Sequence, residues 1–277
     1  MTGLIDVGGG MRGIYGAGVL DCFLENGLRF DYCAGVSAGS ANIASFLANQ
    51  KGRNLRFFTV HSLDKRYMSL GNWVRTRSYF GLDFIYQTLT DELDPIDYDT
   101  LLSANCALRV VATDAETGRP HYFGLADFQK NNSEVLKASC AIPALNRPVE
   151  IKGRLYFDGG VSDPVPVKKA VADGCDRLTV ILTKPADYVK SPEKLRRVYP
   201  LFLKEFPHVV EALDSRHEVY MDSVRYLKAL EKAGKAVIIA PSRPMKISTA
   251  TKKIETLKAF YELGFQDALN KLNSGKI

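Results

Sequence analysis

A serine flanked by glycines is the first feature of this sequence that could do chemistry. Ser37 stands in the segment Gly35-Val36-Ser37-Ala38-Gly39, between a predicted strand and a predicted helix. A nucleophilic hydroxyl needs a sharp strand-to-helix turn with small neighbours, so that it projects clear of the sheet. Gly35 and Gly39 leave that room. The segment therefore predicts a nucleophile elbow, and Ser37 is the candidate nucleophile of an acyl-transfer reaction.

A glycine-rich loop, Gly8-Gly9-Gly10-Met11-Arg12-Gly13, comes one β–α unit earlier. Three successive residues without side chains let backbone N–H groups converge on one point just before a helix begins. Such a loop binds negative charge, either a ligand phosphate or the oxyanion that forms when a carbonyl carbon is attacked. Composition alone leaves both possibilities open.

A carboxylate followed by two glycines is the third feature. Asp158 stands in Phe157-Asp158-Gly159-Gly160, directly after a short apolar run. Taken alone, Asp-Gly is an ordinary turn signal. Together with the elbow and the glycine loop, it indicates a catalytic base.

Short apolar runs alternate with longer amphipathic ones through the first two thirds of the chain, which is typical of a parallel sheet with crossover helices. The sequence thus predicts an α/β fold with helices over residues 15–28 and 38–49 and a sheet of six or more strands. We expect strands at residues 4–7, 31–36, 108–112, 121–123, 155–157, 178–182 and 237–239.

The composition changes near residue 185, where long charged helical patterns begin over residues 195–213, 216–233 and 254–272. We therefore predict a catalytic domain over residues 1–185 and a mainly helical C-terminal region over residues 186–277. This tail carries no recognisable catalytic spacing.

Composition limits the classes of function. The chain has 277 residues, 46% of them hydrophobic, with a net charge of +6 and five scattered cysteines. No apolar run reaches the roughly 18 residues of a membrane span, and no secretory signal opens the chain. We expect a cytoplasmic protein with reduced thiols, no metal site, and basic residues too sparse for nucleic-acid binding.

The three features, in this order, resemble those of the patatin-like phospholipases. Two further segments are similar to that family: Val111-Ala112-Thr113-Asp114 followed by Thr117-Gly118, and Ala138-Ser139-Cys140-Ala141-Ile142-Pro143. The resemblance spans residues 3–170. It implies a three-layer α/β/α fold with a mostly parallel sheet.

The resemblance also implies a mechanism. Ser37 would attack a lipid ester, Asp158 would act as its base, and the backbone around Gly9, Gly10 and Met11 would hold the oxyanion. Arg12 would orient the loop or meet a lipid phosphate. No cofactor is implied. A lipid ester substrate and mild basicity predict peripheral contact with the inner membrane surface, while the oligomeric state is not predictable.

Alternative functions remain to be weighed. A dinucleotide-binding domain fits the glycine loop, but its ribose-binding acid should close the second strand, whereas Asp31 opens it. A Ser–Asp–His triad would need a histidine after the acid, and only His208 and His217 follow Asp158, both in helical patterns. The glycine loop is not a P-loop, because it lacks the Gly-Lys-Ser/Thr ending. A catalytically silent lipid-binding scaffold is the non-enzymatic alternative.

Overall fold

A sheet of eight strands organises the chain in the computed structural model, which describes residues 1–277. The sheet order is β5-β6-β3-β2-β1-β7-β8, with β4 also pairing β3. Strands β3, β2, β1, β7 and β8 run parallel, and the pairings of β4, β5 and β6 are antiparallel. The predicted mostly parallel α/β fold is confirmed. The strands are β1 (Thr2–Asp6), β2 (Tyr32–Val36), β3 (Ala107–Asp114), β4 (Pro120–Phe123), β5 (Val149–Ile151), β6 (Arg154–Asp158), β7 (Arg177–Ile181) and β8 (Ala236–Ile239).

Ten α-helices, one π-helix (Phe84–Leu93) and three short 3₁₀ turns accompany the sheet. The 3₁₀ turns are Gly10–Gly13, His61–Leu63 and Leu125–Asp127. The helices are α1 (Ile14–Glu25), α2 (Ala38–Leu47), α3 (Arg53–Thr59), α4 (Leu70–Thr76), α5 (Tyr98–Leu102), α6 (Glu134–Ser139), α7 (Val167–Ala172), α8 (Tyr199–Phe202), α9 (Pro207–Lys232) and α10 (Ile254–Asn273). None of them is both long enough and apolar enough to cross a bilayer.

Helices cover both faces of the sheet because successive strand residues point to opposite sides. On β1, Leu4 packs in a core formed with α1, α2 and α10, whereas Ile5 packs in a second core formed with α7 and α9. The result is the three-layer α/β/α arrangement that the resemblance implied.

The C-terminal region adds to the same sheet and the same core. Strand β8 pairs in parallel with β7, and α10 lies against α1. Two buried tyrosines join these helices: the Tyr15 hydroxyl donates to Asp267 at 2.8 Å, and the Tyr261 hydroxyl donates to Asp21 at 2.8 Å. The boundary near residue 185 stays a prediction.

One prediction of secondary structure in the tail is wrong. Residues 195–213 and 216–233 do not form two helices, since α9 runs without a break through Pro207–Lys232. Pro207 occupies the first turn, where a missing N–H costs nothing, and it fixes the start of the helix. Asp214 and Ser215, which lie between the two predicted ranges, lie inside it; the Ser215 hydroxyl bonds back to the Glu211 carbonyl at 3.1 Å.

Strand register brings the two candidate catalytic residues together. Val36, the last residue of β2, pairs with Val111 of β3, and Asp158, the last residue of β6, pairs with the next residue, Ala112. Ser37 follows Val36. Ser37 and Asp158 therefore lie on opposite sides of β3 at the same level of the sheet.

Candidate active site

The elbow holds Ser37 in a backbone conformation that few non-glycine residues adopt. Its φ and ψ angles are 55° and −133°, immediately before α2 begins. Such strain persists only where surrounding contacts enforce it. Here the Ser37 N–H donates to Ser139 Oγ at 2.9 Å, and Ser139 Oγ donates to the Val111 carbonyl at 2.6 Å. Ser139 thus ties the elbow to β3.

The two glycines of the elbow permit close backbone contacts. A Cβ atom on Gly35 would lie 2.4 Å from the Ser40 Cα atom, and one on Gly39 would lie 2.2 Å from the Asp6 carbonyl oxygen. Neither space admits a side chain. The glycines that predicted the elbow are therefore required for α2 to pack against the ends of β1 and β2.

The Ser37 hydroxyl and the Asp158 carboxylate are in direct contact. Ser37 Oγ donates to Asp158 Oδ2 at 2.6 Å, and both residues are buried. The Gly160 N–H donates to the other oxygen, Oδ1, at 2.7 Å, and the Gly159 N–H donates to the Ser139 carbonyl at 3.4 Å. Gly160 thus supplies a backbone donor that fixes the carboxylate, and Gly159 ties the turn to Ser139.

Burial raises the pKa of Asp158 above the ordinary aspartate value. The Ser37 hydroxyl, the Arg216 guanidinium and the Gly160 N–H act against burial and lower it. A carboxylate with a raised pKa is a stronger base than an exposed aspartate. This setting suits the predicted role of Asp158 as a base.

Arg216 is a residue of the candidate site that the sequence did not indicate. It lies in the middle of α9, in a region where the sequence showed only long charged helical patterns. Instead its Nε donates to the Gly160 carbonyl, and its Nη1 pairs with Glu193 Oε1 at 3.2 Å. No sequence motif indicates the contact between Arg216 and Gly160, which lie 56 positions apart.

The glycine loop presents two backbone N–H groups, those of Gly9 and Gly10, that donate to no acceptor within the protein. The other amides of the loop are engaged: Gly8 donates to Asp6 Oδ1 at 2.9 Å, and Met11 donates to the Thr249 carbonyl at 3.0 Å. Gly13 ends the 3₁₀ turn that leads into α1. Of the three expected oxyanion donors, Met11 thus has another acceptor here, and its side chain is buried.

Arg12 points along the loop and is partly buried. Its Nη1 donates to Thr249 Oγ1 at 3.0 Å, while its Nε is buried without a partner. Thr183, which follows β7, donates from Oγ1 to the Gly8 carbonyl at 2.6 Å. Thr183 and Thr249, both outside the predicted motifs, hold the loop from two sides.

Ser37 lies between two spaces of different polarity. A narrow cavity of about 60 Å³ extends from Ser37 and Met11 between apolar side chains, among them Phe57, Phe80 and Ile85. A wider cleft of about 350 Å³ contains Ser37, Asp158 and several charged residues. This division suits a molecule with an apolar chain on one side of the reacting bond and a polar group on the other.

The residues that supported the alternatives lie elsewhere. Asp31 accepts from the Thr2 N–H at 2.7 Å at the amino end of the sheet, away from the glycine loop. None of the four histidines lines the cavity or the cleft at Ser37. His208 pairs with Glu211 at 3.0 Å, and His217 Nδ1 contacts the Asp214 carbonyl at 3.0 Å.

The fold and the site together define an α/β protein with a serine elbow, a glycine loop and an adjoining aspartate. Comparison with known families assigns the class: residues 7–171 match the patatin-like phospholipase model, and residues 206–276 match a domain of unknown function, DUF6363. The chain belongs to the patatin-like phospholipase family. Membership confirms the predicted class, a lipid hydrolase, and the dinucleotide-binding alternative is wrong.

Similar proteins share most of the chain. The uncharacterized Escherichia coli protein YjjU is 29% identical over 94% of this chain and 74% of its own length. Lysophospholipase NTE1 of Saccharomyces cerevisiae is 24% identical over 95% of this chain but only 16% of its own length. The crystal structure of VipD from Legionella pneumophila has the same fold, with a TM-score of 0.51 and 14% identity over 99% of this chain and 67% of that one.

Proposed function

We propose that this protein is a serine acyl hydrolase that cleaves fatty-acyl esters of lipids with a Ser37–Asp158 dyad. The observation that carries the proposal is the 2.6 Å contact between Ser37 Oγ and Asp158 Oδ2 at the ends of β2 and β6, the two strands that flank β3. The family match supports the lipid substrate class, as does the yeast relative named lysophospholipase.

Acylation begins when Asp158 Oδ2 takes the Ser37 hydroxyl proton while Oγ forms a bond to the ester carbonyl carbon. The carbonyl oxygen becomes an oxyanion. The bond from that carbon to the alcohol oxygen then breaks, and the alcohol leaves with the proton that Asp158 returns. Ser37 now carries the acyl group.

Deacylation reverses these roles. Asp158 takes a proton from a water molecule, whose oxygen bonds to the acyl carbon as the oxyanion forms again. The bond from that carbon to Ser37 Oγ breaks, and Oγ takes the proton back from Asp158. The fatty acid leaves and the dyad is restored.

We assign the oxyanion to the N–H groups of Gly9 and Gly10. These amides are free of protein acceptors and belong to a loop fixed by Asp6, Thr183 and Thr249. Preorganised donors of this kind contribute much to catalysis, since loss of one typically lowers the rate about 10²–10³-fold. The apolar cavity would take the acyl chain, and the polar cleft would take the alcohol portion.

An ester and phospholipid panel tests the proposal with wild type, Ser37→Ala and Asp158→Asn. We expect wild-type turnover and losses of at least about 10³-fold in both variants, because each removes one half of the dyad. Asp163→Asn is the matched control, since this carboxylate also has a pKa raised by burial but bonds to Tyr122 instead. Absence of turnover in folded wild type would support the silent scaffold instead.

Peripheral membrane contact has a candidate surface on α4 and α8, which we call the α4–α8 surface. It consists of Leu70, Trp73, Val74, Leu201 and Phe202, with Leu70 75% exposed and Phe202 53% exposed. The Trp73 and Phe202 rings contact each other with centroids 6.3 Å apart. Exposed arginines accompany it, namely Arg75, Arg77 and Arg197. Apolar side chains beside arginines suit an anionic bilayer surface.

Flotation with anionic vesicles tests this surface. We expect Leu70→Ser/Phe202→Ser to lose vesicle binding while it still hydrolyses a dispersed short-chain ester. Leu93→Ser is the control, because Leu93 is 60% exposed but lies among the acidic residues Asp91 and Glu92. Equal flotation of the double variant and wild type would refute the assignment.

The predicted division of the chain becomes a proposal about roles. We propose that the region over residues 186–277 completes the site built by residues 1–185. Its support is that Arg216 contacts the turn after Asp158 and that Thr249 contacts the glycine loop.

A further inference from the structure

The polar cleft beside Ser37 contains more positive than negative side chains. Its lining includes four cations, Arg12, Lys184, Lys190 and Arg216, and two carboxylates, Asp158 and Glu193. Asp158 is bonded to the Ser37 hydroxyl. The mechanism uses none of the lysines. Lys184 and Lys190 also lie outside residues 7–171, the part of the chain that matches the family.

The one remaining carboxylate is already occupied. Glu193 Oε1 pairs with Lys190 Nζ at 2.8 Å and with Arg216 Nη1 at 3.2 Å. Arg12 and Lys184 form no ion pair with any carboxylate of the chain; the bond from Arg12 Nη1 goes to the neutral Thr249 hydroxyl at 3.0 Å. The cleft therefore keeps two uncompensated cations.

These two cations line the same cleft as the glycine loop. A Cβ atom on Gly9 would lie 3.0 Å from Thr183 Oγ1 and 3.1 Å from Arg12 Nη2, so both groups border the proposed oxyanion donor. Thr183 is fixed to the loop by its bond to the Gly8 carbonyl, and Lys184 is the next residue. A group attached to the reacting ester would meet these side chains.

The positive charges in the cleft repel one another. Burial lowers the pKa of Lys184, and Arg12 and Lys190 lower it further by repulsion. Burial likewise lowers the pKa of Lys190, with Arg216 and Arg12 adding to the effect. Positive groups gathered in a partly dry cleft are stabilised when an anion enters, because the attraction is less screened there than in water.

We propose that Lys184, together with Arg12 and Lys190, forms a subsite for the anionic headgroup of the substrate, so that the preferred lipid esters carry net negative charge. This inference rests on the proposed function, since it assigns the alcohol portion of the same ester. A phosphate attached to glycerol is the group that this set of donors suits, through charge-assisted hydrogen bonds.

The subsite is unsuited to a headgroup that carries its own quaternary ammonium. Such cations are recognised by open aromatic faces. In this cleft the Lys184 ammonium already lies over the Tyr188 ring, with its Nζ 5.0 Å from the ring centroid. A second cation would meet repulsion from Lys184 at the same ring.

The first test compares three lipids with the same oleoyl chain: oleoyl glycerol phosphate, oleoyl glycerophosphocholine and monooleoylglycerol. We expect wild type to hydrolyse the phosphate with a kcat/KM at least about tenfold above the other two, which is the size of one charge-assisted hydrogen bond. Lys184→Gln should reduce this preference about tenfold, and Lys184→Arg should restore it. Lys228→Gln, an exposed lysine of α9 outside the cleft, is the control and should retain the full preference.

A binding measurement separates this inference from the proposed function. Calorimetry on Ser37→Ala, with the same lipids in monomeric form, should show tighter binding of the phosphate and a loss of that margin in Ser37→Ala/Lys184→Gln. Equal binding of the three lipids, or preference for the choline lipid, would overturn the subsite. If the preference in binding is present but wild type hydrolyses no ester, the proposed function fails and the subsite stands.

Discussion

Asp158, the proposed base, can take a proton only when it is ionised, so the groups that set its pKa should also set the pH range of activity. Burial raises that pKa, and Arg216 is the charged side chain that opposes burial most directly. Activity should therefore rise as the pH increases through the raised pKa of Asp158 and reach a plateau above it.

Substitution of Arg216 by Gln should move this rise to higher pH. Without the positive charge the ionised carboxylate is less stable, so the pKa of Asp158 increases and a higher pH is needed to ionise it. A pH profile of kcat/KM on a neutral short-chain ester measures the shift. Arg216→Lys keeps the charge and should keep the midpoint close to that of wild type. A uniform loss of rate with an unmoved midpoint would mean that Arg216 acts only through structure.

Single residues differ in how well the sequence reveals them. Ser37 and Asp158 could be predicted because each needs adjacent glycines, and a local backbone requirement is visible in neighbouring letters. Arg216 and Thr249 could not, because their contacts join positions 56 and 237 residues apart. Ser139 is intermediate: its segment carried the resemblance, but its bond to the Ser37 N–H became visible only in the structure.

The glycine loop depends on the chain segment that precedes α10. Thr249 accepts the Met11 N–H through its carbonyl and the Arg12 guanidinium through its hydroxyl. A Cβ atom on Gly10 would lie 2.4 Å from Thr249 Cγ2 and 2.7 Å from its carbonyl oxygen. The loop thus has no room for a side chain at this position.

Gly10→Ala should reduce ester hydrolysis by about 10²-fold or more, because the loop must move and carry the Gly9 and Gly10 amides away from the position proposed for the oxyanion. Gly27→Ala is the matched control. Gly27 has a φ of +68°, similar to the +59° of Gly10, but no atom lies within 4 Å of its Cβ position. The Gly27→Ala variant should lose only about 1 kcal/mol of stability from backbone strain and keep its activity. Equal activities of the two variants would contradict the role of the loop.

Elements were predictable where their periodicity was long and undisturbed. Helices α1 and α2 and seven of the eight strands follow the expected pattern. Strand β5 was missed because its three residues are too short to show alternation. The helix α9 was divided in the prediction because Asp214 and Ser215 favour helix ends locally, whereas packing of Tyr220, Val224 and Leu227 against the sheet stabilises one continuous helix.

At the scale of the whole molecule, the packing of α10 on α1 joins the two ends of the chain. Helix α10 packs on α1 so closely that a Cβ atom on Gly264 would lie 2.1 Å from the Tyr15 carbonyl oxygen. Phe260 and Tyr261 are buried in the same contact. The helical pattern of the tail predicted α10, but its partner could not be predicted, because an apolar helix face does not specify what covers it.

Gly264→Ala should therefore lower the free energy of unfolding by about 1–3 kcal/mol, since the two helices must separate to admit a methyl group. Gly71→Ala provides the comparison in an exposed helix, where the nearest atom lies 3.7 Å from the added Cβ. Gly71→Ala should leave the free energy of unfolding unchanged or raise it by as much as about 1 kcal/mol, because alanine favours the helix. Urea denaturation measures both. Equal stabilities of the two variants would show that α1 and α10 are less tightly packed than the 2.1 Å separation at Gly264 indicates.

The central claim is that Ser37 is the nucleophile. Treatment of the folded protein with a fluorophosphonate probe, followed by peptide mass spectrometry, tests it most directly. We predict a single adduct on Ser37, absent from Ser37→Ala and strongly slowed in Asp158→Asn, because the hydroxyl then loses its base. An unlabelled wild type, or an adduct that persists in Ser37→Ala, would contradict the account.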